Sequence, residues 1–110
     1  MELLIEETHG EKIAQVVSGK IVVNNVQDAI DIMANANYND ATHVKIYEKN
    51  IVSDFFDLKT GIAGEVLQKF SNYRMKLSII GDFKKYKSKS LQAFIIECNR
   101  GNSVFFVQES

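Results

Sequence analysis

The sequence predicts one α/β domain, a mixed sheet with its helices mainly on one face, and three observations carry that reading. Strand-like runs alternate with amphipathic helical runs over about the last eighty residues, the pattern of a mainly parallel sheet with right-handed crossovers. Two β-branched and aliphatic runs flank a glycine turn at the start, which adds an antiparallel edge. No proline, low-complexity segment or fixed-period repeat interrupts residues 1–110, so one domain with no linker is expected.

The opening hairpin pairs Leu3 to Glu7 with Lys12 to Val17 around "THGE", where Gly10 can take a positive φ. Ile21-Val22-Val23 then predicts a short third strand or edge. The first helix starts at an Asn25 cap, with Asp28 near its positive end and Val26, Ala29, Ile30 and Met33 on one face. His43 to Tyr47 alternates as a strand does. Ser53 can cap a short turn holding Phe55 and Phe56.

A second helix over 61–73 aligns Ile62, Ala63, Val66, Leu67, Phe70 and Tyr73, with Glu65 and Lys69 as an i,i+4 pair opposite. "MKLSIIGDF" predicts a strand centred on Leu77, Ile79 and Ile80 that ends at Gly81. The third helix is capped by Ser88 or Ser90, packs Leu91, Phe94, Ile95 and Cys98 inward, and stops at Gly101. Val104 to Val107 form the last strand.

A chain of 110 residues buries roughly two-thirds of its unfolded surface, enough for a core without staples. Cys98 is the only cysteine, so it reads as a buried hydrophobe in a reducing cytoplasm. Thirteen basic against fourteen acidic residues leave a net charge of -1, which argues against a dedicated nucleic-acid binder. The apolar runs are too short to span a bilayer, and the acidic start "MELLIEETHG" is unlike a signal peptide.

Enzyme signatures are missing. His9 and His43 have no metal-ligand spacing, no G-x-S-x-G, G-x-G-x-x-G or Walker loop occurs, and "TGIAGE" lacks the Lys-Ser/Thr of a phosphate loop. No catalytic residue, cofactor or metal is therefore expected.

Two segments stand out. In "FFDLKTGIAGEVLQKF", Thr60 reads as the N-cap of the second helix, while Gly61 and Gly64 allow close approach to a strand. Asp57 caps the preceding turn or positions the Thr60 hydroxyl. Phe55 and Phe56 point about 100° apart in a helical turn, so one is expected in the core and the other partly exposed as a partner anchor. The second segment is the basic run Lys84 to Lys89. Lys87, Ser88, Lys89 and Ser90 lie at a helix start, where a small anion could bind, although a solvated loop accounts for them too.

"DFFDLKTGIAGEVLQKFSNYRMKLSIIGDF", "SKSLQAFIIECNRGNSVFFV" and "VQDAIDIMA" together resemble a bacterial domain-of-unknown-function family, over about residues 11 to 107. Its signature is FFDL-x-TG-x-AGE-x-LQKF. The element order is similar to that of STAS domains, the anti-sigma-factor antagonists, whose Asp-Ser-Ser-Gly loop precedes a helix and is phosphorylated on serine. That resemblance puts Thr60-Gly61 in the place of the Ser-Gly, one residue later and behind two aromatics. It implies a STAS-like regulatory or protein-interaction module with an unknown protein partner, or a homodimer. The alternative is a small-molecule or anion-binding domain using residues 57–61 and 84–90.

Overall fold

A computed structural model describes residues 1–109. Five strands, β1 (Glu2–Thr8), β2 (Glu11–Val17), β3 (His43–Tyr47), β4 (Lys76–Gly81) and β5 (Val104–Gln108), form one mixed sheet. Three α-helices, α1 (Val26–Tyr38), α2 (Ile62–Asn72) and α3 (Lys89–Arg100), follow β2, β3 and β4 in turn. The strands lie side by side in chain order; β1 runs antiparallel to β2, and each later pair is parallel.

That order decides where the helices go. Each crossover steps one strand in the same direction, so right-handed connections deliver all three helices to one face. The core agrees: it joins Ala29, Ile32, Met33 and Ala36 of α1, Ala63, Val66 and Phe70 of α2, and Leu91, Ile95 and Cys98 of α3. From the four parallel strands it takes one alternation only, Ala14, Val16, Val44, Ile46, Leu77, Ile79, Val104 and Phe106. The helices cover one face of the sheet, and the other face is bare.

Local structure follows the residues closely at several joints. His9 (φ 52°) and Gly10 (φ 80°) both take the left-handed conformation that a two-residue hairpin turn needs. The Asn25 side chain accepts from the Asp28 N–H at 2.9 Å, and Asp28 returns the bond by accepting from the Asn24 N–H. Ser88 is the cap of α3, accepting from the Leu91 N–H at 3.1 Å, whereas Ser90 lies inside the helix.

The structure corrects five local expectations. Ile21 to Val23 form no strand, only a bridge between Val23 and Ile51. The reason is Asn50, whose side chain donates to the carbonyls of Ser18 (2.9 Å) and Lys20 (2.8 Å) while its own carbonyl accepts from Val22 and Val23. Buried Asn50 thereby takes the backbone groups a ladder would use. Ser53 is the first residue of a 3₁₀ turn (Ser53–Phe56) and does not cap it. Tyr73 ends α2 with its ring exposed, and Glu65 and Lys69 form no ion pair. Gly64 faces open space, so helix-strand contact does not require it.

Candidate functional site: a cleft between two strand-to-helix loops

The two segments singled out in the sequence meet beyond the carboxyl ends of β3 and β4. After β3 the chain makes three 3₁₀ turns, Glu48–Asn50, Ser53–Phe56 and Leu58–Thr60, before α2 begins. Both phenylalanines in this stretch are buried, Phe55 at 2% and Phe56 at 5% exposure, so neither is a free anchor. They diverge as adjacent residues must, but the core extends to receive both. Phe55 faces the strands and helices, while Phe56 stacks on Tyr86 at 5.1 Å and approaches Phe83 at 6.1 Å.

The Thr60 hydroxyl accepts from the Ile62 N–H at the start of α2 at 3.4 Å, as expected, but Thr60 stands one residue before the cap position. The cap position belongs to Gly61, which takes φ 80° without a side-chain bond; that backbone conformation, rather than close packing, is why glycine suits the site. The Thr60 hydroxyl also lies within bonding distance of the carbonyls of Asp54 (2.7 Å) and Asp57 (2.9 Å), closing the last 3₁₀ turn. Asp57 accepts from the Lys59 N–H at 3.2 Å, and its carboxylate does not reach Thr60. Both residues are exposed.

The opposite loop, 82–88, is held from several sides. Glu48 accepts from the Asp82 N–H at 3.1 Å, from the Tyr86 hydroxyl, and from the Lys85 ammonium at 2.8 Å. Gln92 donates to the carbonyls of Phe83 (2.8 Å) and Tyr86 (3.0 Å), and Gln108 accepts from the Phe83 N–H. Gly81 leaves room for this knot: a Cβ there would lie 2.5 Å from the Cβ of Glu48. Burial, and then the Glu48 carboxylate, push the Tyr86 phenol far above its ordinary pKa, so it stays a neutral donor. The basic run is therefore a braced wall, with Lys85 already paired.

Between these loops lies a cleft of about 490 Å³. Phe56 and Tyr86 contribute to its apolar lining, Asp57, Leu58 and Lys59 line it on the β3 side, and Lys87, Ser88 and Ser90 line it at the start of α3. Among the described residues Lys59 and Lys87 form no ion pair, and the first-turn N–H groups of Lys89 and Ser90 have no partner within the helix. Lysines thus stand on both sides of the cleft, Lys59 beside the Asp57 carboxylate and Lys87 beside the free donors at the start of α3. Phe55, Thr60, Gly61 and Lys89 are not among its lining residues. A separate void in the core holds only about 10 Å³ and is lined by apolar side chains, which leaves it dry.

Sequence reading missed Glu48, because a lone glutamate after a strand carries no motif. It also missed a polar row on the bare face. The Nε2 of His43 lies 2.7 Å from the Ser78 Oγ, its Nδ1 is 3.6 Å from Glu11, and Lys76 reaches Glu11 at 3.3 Å. Burial, then the positive Lys76 and Lys45, lower the His43 pKa against the opposing pull of Glu11. The order Ser-His-Glu resembles a hydrolytic triad. Ser78 and its neighbours, however, sit in mid-sheet, where the β3 and β5 ladders occupy the backbone, so no oxyanion hole forms around that serine.

Fold and site together define a one-sided α/β domain with a lysine- and serine-rimmed cleft at the carboxyl ends of its parallel strands. The family described as Domain of unknown function (DUF4180) matches residues 8–110, and the chain belongs to it. No curated protein and no solved structure matches the chain. Among the described residues, no helix is long and apolar enough to cross a membrane, and no cluster of three or more His, Cys, Asp or Glu could hold a metal ion.

Proposed function

We propose that this chain is a binding domain for a small anionic molecule, one bearing a phosphate or carboxylate group, held in the cleft between the 57–59 and 86–90 segments. One observation carries the reading: two loops far apart in sequence bring Lys59 and Lys87 to the start of α3 around a cleft of about 490 Å³. The anionic group would sit against the Ser90 N–H and the Ser88 and Ser90 hydroxyls, with Lys59 and Lys87 closing on it from the two sides. The Phe56 and Tyr86 rings offer the apolar remainder a wall. Nothing in this arrangement calls for bond cleavage, so the proposed role is binding rather than catalysis.

Titration of the labelled protein with inorganic phosphate and with phosphate- and carboxylate-bearing metabolites tests it. The amides of Lys59 and of Ser88 to Leu91 shift together, and the double variant Lys59→Ala/Lys87→Ala abolishes the shifts while keeping the folded spectrum. Unmoved amides across millimolar ligand would reject the reading.

The exposure of Thr60 favours a second reading, a STAS-like regulatory module that meets a protein partner through the start of α2. A phosphate on that hydroxyl would displace its bonds to Asp54 and Asp57 and loosen the last 3₁₀ turn beside the cleft. Phosphosite mapping after incubation with cell extract and ATP tests this, and a Thr60 that stays unmodified under every condition removes it.

A further inference from the structure

The cleft between the 57–59 and 86–90 segments has two chemically different ends. At the start of α3 the Ser88 and Ser90 hydroxyls lie 3.0 Å apart and share one hydrogen bond, which leaves one hydroxyl hydrogen to donate outward. With the Ser90 N–H and the Lys87 ammonium, this end carries three donor groups, a match for the three terminal oxygens of a phosphate monoester and more than the two of a carboxylate need.

The opposite wall is built differently. One oxygen of the Asp57 carboxylate accepts from the Lys59 N–H at 3.2 Å, the other has no partner among the described residues, and neither Asp57 nor the Lys59 ammonium forms an ion pair there. An acceptor and a donor thus stand unpaired on one wall. A bare anion gives that carboxylate nothing to bind, and an ammonium group would meet Lys59. A hydroxyl suits both, because it donates to the carboxylate and accepts from the ammonium.

The aromatic part of the lining is closed to flat rings. Phe56 is buried, stacked on Tyr86 at 5.1 Å and packed against Phe55 at 5.0 Å. Tyr86 has the Lys85 ammonium over its ring at 5.4 Å, and Glu48 holds that ammonium at 2.8 Å. A base stacked here would have to displace Phe56 or Lys85, whereas a compact aliphatic body can rest against Leu58 without moving either. Size agrees: about 490 Å³ corresponds to on the order of sixteen waters at about 30 Å³ each, far more than a bare phosphate fills.

Resting on the reading of this cleft as an anion site, we infer that its occupant is the phosphate monoester of a polyhydroxylated aliphatic body, the chemistry of a sugar phosphate. The phosphate lies at Ser88, Ser90 and Lys87, and the hydroxyls lie at Asp57 and Lys59. Lys59 carries three N–H donors, so it serves the hydroxyls and the phosphate together. Asp57 is then the residue that tells a sugar phosphate from phosphate itself.

Calorimetric titration of the full chain with inorganic phosphate, ribose 5-phosphate and adenosine 5′-monophosphate tests this, with the amide shifts of Ser88 to Leu91 reporting the anion end. Ribose 5-phosphate is expected to bind at least tenfold more tightly than inorganic phosphate, and the adenine ring to add nothing. Asp57→Ala lowers the ribose 5-phosphate affinity at least fivefold and leaves that for inorganic phosphate unchanged; the wild-type comparison stands whether or not this variant folds. Amides that shift with phosphate while ribose 5-phosphate binds no more tightly overturn the inference and leave the anion site standing. A tenfold preference for adenosine 5′-monophosphate over ribose 5-phosphate overturns it too, as does a folded Asp57→Ala variant that changes both affinities equally. No shift with any of the three ligands removes the anion site and this inference with it.

Discussion

The two faces of one sheet, built from the same strands, have opposite characters. On the helix side Ala14, Val16, Val44, Ile46, Leu77, Ile79, Val104 and Phe106 are each at most 5% exposed. On the bare side, their immediate neighbours in sequence are a mixture of lysines, a histidine, serine and glutamine with scattered large hydrophobes. The difference teaches that strand order governs burial here as much as residue type does. Ile79 and Ile80 are the same residue one position apart, and only the first is in the core.

Truncating Ile79 and Ile80 in turn separates the two faces most clearly. Ile79→Ala is expected to cost about 2–5 kcal/mol in urea unfolding, the range for a buried branched side chain. Ile80→Ala, measured at low protein concentration so that the chain stands alone, should cost below about 1 kcal/mol. Equal losses would mean that the bare face is packed within the single chain.

Asn50 tests the next level, the joint between the covered layer and the 18–23 segment. Asn50→Leu leaves the Ser18 and Lys20 carbonyls without their donor and should cost about 2 kcal/mol, with amide exchange of residues 18–23 accelerating first. Gly81→Ala pushes a methyl against Glu48 and should cost about 1–3 kcal/mol, with the Tyr86 environment, read by fluorescence, changing alongside. An alanine tolerated at 81 would show that the Glu48 knot is looser than its bonds indicate.

The smallest effect belongs to the bare face. The His43 pKa is lowered below its ordinary 6.5, chiefly by burial, so the unfolded chain takes up that proton first as pH falls. The stability tied to neutral His43 is complete above the unfolded pKa and lost as pH drops through 6.5 and below. His43→Gln should flatten the stability curve between neutral pH and about 5. Glu11 titrates lower still, because Lys76 and His43 outweigh the opposing effect of its slight burial, and its contribution is lost in more acidic solution. A wild-type curve already flat in the upper window would show that burial of the ring on this face is negligible.

Much of the fold was legible because it rests on local rules. Alternation at His43 to Tyr47, helical spacing in α2 and α3, and the residues Asn25, Ser88 and Gly10 at their caps and turn each act within a few positions. For the candidate site, residues 57–61 and 84–90 were legible together as one anion-binding alternative, but their contact was not. Residues 57–61 and 87–90 both drew notice, but their meeting depends on β3 and β4 lying side by side, a pairing without a sequence signature. The errors have two origins. Phe56 was assigned by what it does within a turn, whereas Tyr86 across the fold buries it; Thr60 and Ser53 were misplaced by the local 3₁₀ turns, in which the Thr60 hydroxyl meets the Asp54 and Asp57 carbonyls.

By itself the sequence determined the elements, their order, the apolar set that must be buried and the near-neutral charge, because periodicity and composition act through backbone geometry and hydration at short range. Tertiary structure alone decided which sheet face the helices cover, that Glu48 ties down the 82–88 loop, that two lysine-bearing segments enclose a cleft, and that a mixed polar and apolar sheet face is left bare. Those outcomes depend on which strands become neighbours, and the parallel pairings join residues 27 to 33 positions apart whose types do not announce the partnership.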